Sequence, residues 1–477
     1  MKRLPALLVW SVLISGGGCA RVLGDNQPRE ANAEVPGGFG MEGDFADAGG
    51  TTSLAAQQWA QLFTDPHLSA LINDALENNQ ELNMQIQETI IAQSEVGARK
   101  GEYLPTLDAG AGVGVEKVGG DTSQGVSDEG HGLPGTLANF RFGLYASWEI
   151  DVWGRLRKAA KAANLRYRAT VEAKNFMVTQ IVAELARSYY ELIAVDKKIE
   201  VLQTYVELTE QALEVVRLKK AAARATELAV QRFEAELSRS QGRIFALEQE
   251  RVVLQNQINF LVGRYPQPVA RGSELLDEAA LAKVNQTGLP AELLDNRTDV
   301  RRAEMVMEAA ELDAKSAKAR FYPSLTLDAG VGYESFNPAH LLRTPESLVF
   351  GAGASLLAPL LNRAAIKADY RAANARQIQA VFEFEQTILR AYTEVANELS
   401  RIDNLRQSYE RFSDQVATLE KAVEVSNILY RSAHADYMEV LLTRRDALEA
   451  HLDLIETELD RMKAMVTLYQ ALGGGWR

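Results

Sequence analysis

At 477 residues the chain is long enough for two or three ordinary domains, and its 47% apolar and 24% charged content is that of a folded protein. A net charge of −13 excludes a nucleic-acid surface, which needs clustered Lys and Arg to displace the counterions along phosphates. The five histidines, His67, His131, His340, His434 and His451, are scattered, and no HExxH, P-loop or nucleophile-elbow pattern occurs, so no enzyme, metal site or cofactor is expected.

Lys2 and Arg3 precede an apolar run from Leu4 to Ile14 that ends in Ser15-Gly16-Gly17-Gly18 and then Cys19. This pattern reads as a secretory signal peptide over residues 1–18. Cys19 is the only cysteine, so no intramolecular disulfide forms, and its place after the small-residue run predicts lipidation by an acyl chain such as palmitate. Residues 19–53, rich in Gly, Asn, Asp and Ala without an apolar period, read as a lipid-anchored extended leader. No later stretch reaches the roughly 20 apolar residues that a membrane helix needs, so any crossing must use strands.

From Leu54 to Lys100 the spacing is helical, with Leu68, Leu71, Ile72, Ala75 and Leu76 on one face and a break at Asn78-Asn79. Strict alternation follows: Leu107, Ala109, Ala111, Val113 and Val115 against Asp108, Gly110, Gly112, Gly114 and Glu116, which predicts a strand over 105–118. The pattern returns over 140–152, after a polar, Gly-rich loop from Gly119 to Asn139. The glycines at 110, 112 and 114 look like a nucleotide loop, but they alternate inside a strand and open no helix.

About 218 positions later the first strand recurs: Leu104-Pro105-Thr106-Leu107 matches Tyr322-Pro323-Ser324-Leu325. Strands are expected over 323–335 and 347–357, joined by the short loop Phe336 to Glu346. Each strand pair feeds a long helical hairpin without proline, 154–262 and 362–472. The chain therefore reads as an internal duplication, with a first repeat over 54–264, a linker over 265–290 and a second repeat over 291–477. About 70 helical residues extend on the order of 100 Å, and these helices are too charged for lipid, so they project into water.

One apolar and one polar face per strand suits a membrane barrel, yet four strands cannot close one, so several chains must share it. The polar face is built of small residues, which favours an open channel. Phe140, Trp148, Trp153, Tyr333 and Phe350, near the strand ends, suit interfacial belts. A sandwich with long coiled-coil arms is the alternative on pattern alone.

The chain resembles the TolC family, and within it the NodT-like lipoprotein outer-membrane factors of resistance-nodulation-division efflux systems. The likeness is carried by Trp59 to Leu82 (WAQLFTDPHLSALINDALENNQEL), Asp151-Val152-Trp153-Gly154-Arg155-Leu156-Arg157, Leu289-Pro290 with Leu293-Leu294 through Asp299, and Leu472-Gly473-Gly474-Gly475-Trp476. It implies an α+β membrane protein: a trimeric twelve-stranded β-barrel, four strands per protomer, continued by a long α-helical barrel with a mixed equatorial region. The implied partners are two further copies, a periplasmic adaptor, an inner-membrane pump and outer-membrane lipid, with no nucleic acid. The implied function is the outer-membrane exit duct of a tripartite efflux system; type I protein secretion and a structural periplasmic coiled coil are the alternatives.

Thr298 stands where the family usually has a proline, and alanines stand at the helical tips where a glycine is common. The adaptor-contacting tips are expected at Ala222, Ala223 and Arg224 and at Ala433, His434 and Ala435. The periplasmic gate is expected at Glu420, Glu424, Asn427 and Tyr430, with Asn427 at the place of an aspartate ring and its amides bonded across a threefold axis.

Overall fold

The computed structural model describes residues 28–39, 54–275, 290–361, 363–432 and 434–476. The signal peptide, Cys19, Ala433 and most of the leader and linker lie outside the described residues.

Local chemistry sets the first helices. A short helix α1 (Trp59–Leu62) precedes α2 (Pro66–Asn78), whose start is fixed by Pro66 and by Asp65, its carboxylate accepting the His67 N–H at 2.7 Å. Leu68, Leu71, Ile72 and Ala75 form its buried face. At the expected break Asn79 turns to an extended backbone. Its side chain accepts from Leu82 N at 2.9 Å and donates to Leu261 O at 2.8 Å, which starts α3 (Gln80–Gly101).

Four strands follow the alternating segments: β1 (Thr106–Glu116), β2 (Leu137–Ile150), β3 (Ser324–Ser335) and β4 (Leu348–Leu357). They form one antiparallel sheet in sequence order, with β1 and β4 at its edges. The register aligns Asp108, Tyr145, Gly330 and Gly351 in one row and Thr106, Ser147, Asp328 and Gly353 in the next. Where β2 crosses β3 the facing pair is Gly143 and Gly332. A Cβ on the first would lie 2.6 Å from Val331 O and on the second 2.4 Å from Phe142 O, so only glycine allows this approach.

Two expectations need correction. The loop Gly119 to Asn139 holds a helix, α4 (Ser123–Gly130), capped by the Thr122 hydroxyl accepting from Gly125 N, and β2 begins three residues earlier than alternation indicates. The other end of β2 stops at Ile150 rather than 152, because the Asp151 carboxylate accepts the Leu156 and Arg157 N–H groups and opens a helix.

That helix, α5 (Arg155–Ala221), turns back into α6 (Glu227–Val262), which ends on Gly263 in the left-handed conformation. After the linker come α7 (Glu292–Asn296) and α8 (Thr298–Ala319), then β3 and β4. The second hairpin is α9 (Ala364–Arg431) and α10 (Tyr437–Ala471). Of the leader, residues 28–39 are held by α9. Arg29 exchanges two hydrogen bonds with Gln377, and Phe39 stacks on Tyr392 at 5.5 Å.

The chain divides into two compact units. One comprises the sheet and the helix segments 90–105, 151–168, 305–323 and 358–382, where Phe321 meets Tyr370 edge-on and Ser316 Oγ donates to Arg155 O at 2.9 Å. The other holds the remaining helices around the large buried side chains Tyr189, Tyr469, Phe63, Leu185 and Leu192. There Arg187 bonds Gln470, Glu191 pairs with Lys463 and Lys198 with Glu456. Numbers that rise along α5 and fall along α10 make the two helices antiparallel neighbours. Arg297 is buried at the foot of α8, bonded to Asp299, to Glu394 at 2.7 Å and to Ala471 O at 2.9 Å. Burial alone depresses such a pKa, but the two carboxylates outweigh it and hold the guanidinium charged.

Candidate functional site

The sheet has two unlike faces, and both are uncovered within one protomer. On one stand Leu107, Val113, Val115, Phe350 and Leu356, each more than two-thirds exposed. An apolar surface of this extent needs a nonaqueous neighbour. The other face is polar and shallow. Tyr145 lies against Gly110 and Gly330, where an added Cβ would meet its ring at 3.2 Å on either side. Ser147 Oγ donates to Asp328 at 2.8 Å, and Asn139 donates to Glu334 at 2.6 Å. With glycines beneath its largest ring, this face presents carboxylates, hydroxyls and the Arg141 guanidinium. Among the described residues no helix is long and apolar enough to cross a membrane.

The second region is the hairpin ends. Helix α5 finishes in a Schellman turn: Arg224 N donates to Lys219 O at 2.8 Å and Ala223 N to Lys220 O at 2.9 Å. The residue in the left-handed position is Ala223, with φ 56°. The same long-reach bond closes α9, from His434 N to Leu429 O at 2.9 Å. Ala222, Ala223, Arg224 and His434 are exposed and Ala435 is half-buried.

The expected gate residues are brought together in part. Glu420, Glu424 and Asn427 line a groove of about 830 Å³ with Tyr205, Arg444 and His451. Glu420 faces His451 Nε2 at 3.2 Å. Asn427 accepts from Arg444 at 2.9 Å and donates to Val423 O at 2.7 Å, so both ends of its amide have partners inside the protomer. Tyr430 lies elsewhere, its ring 3.6 Å from the Lys219 ammonium.

The sequence reading missed Arg444. Its second terminal nitrogen donates to Leu208 O at 3.0 Å, so one guanidinium on α10 ties α5 to α9. Burial, with the nearby positive charge of Arg431, lowers its pKa from the ordinary arginine value, and its Nε is buried without a partner among the described residues. The signal was faint: Arg444 follows Val440 and Leu441 and precedes Ala447 and Leu448, on a face that is otherwise apolar. Among the described residues no group of three or more His, Cys, Asp or Glu is placed to hold a metal ion.

The model of the family described as outer membrane efflux protein matches residues 71–264 and 289–474, one match in each half of the duplication. The pyoverdine export outer membrane protein OpmQ of Pseudomonas aeruginosa is 27% identical over 433 residues, 91% of this chain and 90% of its own. The probable outer membrane lipoprotein SilC of Salmonella typhimurium is 25% identical over 479 residues, with both chains covered completely. Among solved structures, the open state of the MtrE outer membrane channel of Neisseria gonorrhoeae superposes with a TM-score of 0.81 at 23% identity, covering 94% of this chain and 98% of that one, a likeness of fold. With the sheet, the paired hairpins and a family match across both repeats, the chain belongs to the outer membrane efflux protein family.

Proposed function

We propose that the chain is one of three protomers of an outer-membrane exit duct, which passively conducts small molecules or ions delivered by a pump and a periplasmic adaptor. The observation that carries this reading is the open sheet. Its four strands have one apolar face for lipid, one glycine-lined polar face for water, and two unpaired edges at β1 and β4. Unpaired backbone in hydrocarbon is prohibitively costly, so the sheet must close on other copies. Three copies give about twelve strands, within the range of membrane barrels that hold an aqueous lumen.

In this reading the two Schellman turns, at Ala222 to Arg224 and around His434, are the adaptor-contacting tips. The groove lined by Glu420, Glu424 and Asn427 belongs to the periplasmic gate. Cys19 anchors the mature N-terminus in the outer membrane, a reading supported by the similarity to a protein described as an outer membrane lipoprotein.

The purified protein in planar bilayers is expected to give discrete single-channel steps, and its mass in detergent to equal three protomers. A mass of one or two protomers, or no conductance, overturns the duct. Labelling with a clickable fatty acid tests the anchor separately, since Cys19→Ser is expected to abolish it.

A further inference from the structure

The four segments that join strands to helices are opposite in charge to the rest of the molecule. Consider ten residues on the helix side of each strand. Residues 96–105 carry Arg99 and Lys100 against Glu102, and residues 151–160 carry Arg155, Arg157 and Lys158 against Asp151. Residues 314–323 carry Lys315, Lys318 and Arg320, and residues 358–367 carry Arg363 and Lys367, neither with any acid. Ten cations thus face two carboxylates, in a chain of net charge −13. On the other side of the sheet the balance inverts: residues 117–136 and 336–347 hold Lys117 and Arg343 against Asp121, Asp128, Glu129 and Glu346.

Internal pairing accounts for half of the collar. Arg99, Arg155, Arg157, Lys315 and Arg320 each meet a carboxylate. Lys100, Lys158, Lys318, Arg363 and Lys367 lie in no ion pair among the described residues. Helix dipoles explain only Lys100 and Lys318 of the remainder. Cations suit the carboxyl ends of α3 and α8, but α5 and α9 begin here, and neither has an acid in its first turn. A positive charge at a helix amino end is unfavourable, so the sign is kept against local helix electrostatics.

Beside the cations stand the exposed apolar side chains of Val152, Trp153, Tyr322, Leu360 and Leu361, the last 89% exposed. The Trp153 ring stacks on Tyr322 at 4.9 Å and its Nε1 donates to Pro323 O at 2.8 Å, which fixes the indole at the sheet boundary. A cavity of about 500 Å³ opens there, lined by Trp153, Tyr322, Arg320 and Arg155 and by the carboxylates of Glu149 and Asp151, which Arg155 and Arg157 neutralise.

We propose that this collar binds anionic glycerophospholipid of the leaflet facing the helices, the phosphodiester meeting the unpaired cations and the acyl chains covering the leucines and Trp153. The inference rests on the strands being the membrane-spanning part of the duct. Charge complementarity selects the occupant, since each Lys or Arg held near an anionic lipid surface adds to its attraction. An aromatic belt alone favours the interface without distinguishing headgroups.

The test is native mass spectrometry of the full-length protein, purified in mild detergent and equilibrated with equimolar phosphatidylglycerol and phosphatidylethanolamine. Wild type is expected to retain phosphatidylglycerol about tenfold over phosphatidylethanolamine. The combined variant Lys158→Gln, Lys318→Gln, Lys367→Gln, which orphans no carboxylate, is expected to bring that ratio near one while the oligomer mass and the conductance in neutral bilayers stay unchanged. Lys421→Gln, on α9 outside the collar, is expected to keep the preference. Equal retention of both lipids by wild type, or an undiminished preference in the combined variant, overturns the collar and leaves the duct standing. A protein that forms no pore in any bilayer overturns both.

Discussion

Arg444 donates to the side-chain oxygen of Asn427 at 2.9 Å while its other terminal nitrogen holds Leu208 O at 3.0 Å, so that one side chain fastens three helices. Hydrogen bonds to a charged group contribute about 1.5–3 kcal/mol, enough to bias a two-state mouth roughly tenfold or more. Arg444→Ala is therefore expected to raise single-channel open probability about tenfold. Asn427→Ala, which removes one acceptor of the two, should raise it less. Identical open probabilities for all three proteins would remove this residue from the gate.

Ala223 is the only non-glycine residue with positive φ among the described residues. An L-residue there costs about 1–2 kcal/mol, part of which glycine returns through its larger unfolded-state entropy. Ala223→Gly is expected to slow hydrogen exchange of the Ala223 and Arg224 amides a few-fold, and Ala223→Val to accelerate it. The reverse order would mean that the Schellman turn is not populated in solution.

Val113 and Gly112 are neighbours on opposite faces of β1. An arginine at Val113 near mid-membrane should destabilise assembly by about 2–4 kcal/mol. At Gly112 the new side chain falls beside Arg141, whose Nε lies 3.2 Å from an added Cβ. There, like charges on the water-facing side are expected to reduce cation conductance while urea stability changes little. Equal stability losses at both positions would argue against a lipid face and a lumen face.

Arg297 is buried with two carboxylates and a carbonyl on its guanidinium. Removing one partner of such a cluster costs about 3–5 kcal/mol, because the acids are left without their counter-charge. Arg297→Ala is thus expected to lower the thermal midpoint sharply. Arg297→Lys should recover part of the loss, since an ammonium restores charge but not the two-pronged contact with Asp299. A variant as stable as wild type would show that water satisfies both acids.

Most of the fold was legible because its signals are periodic. Alternation from Leu107 to Val115 located β1 to within two residues of its end, and unbroken apolar spacing without proline marked the long helices. The match between Leu104-Pro105-Thr106-Leu107 and Tyr322-Pro323-Ser324-Leu325 exposed the duplication. Short, polar elements were hidden, since α4 has no apolar stripe and depends on one hydroxyl cap at Thr122. The candidate gate was harder still. Arg444 is two-faced, its partners Leu208 and Asn427 lie 236 and 17 positions away, and one of its contacts is to a backbone carbonyl that any residue provides.

The free edges at β1 and β4 also bear on inheritance. Because the edges differ, closure joins β4 of one copy to β1 of the next, a head-to-tail ring in which every subunit contributes one edge to each of two seams. A chain whose β4 edge is damaged spoils any ring it enters. In a cell making equal amounts of damaged and intact chains, only about one ring in eight would escape when subunits are drawn at random in threes. Edge lesions in this protein should accordingly behave as dominant alleles, whereas a lesion that prevents the chain from leaving the cytoplasm should be recessive.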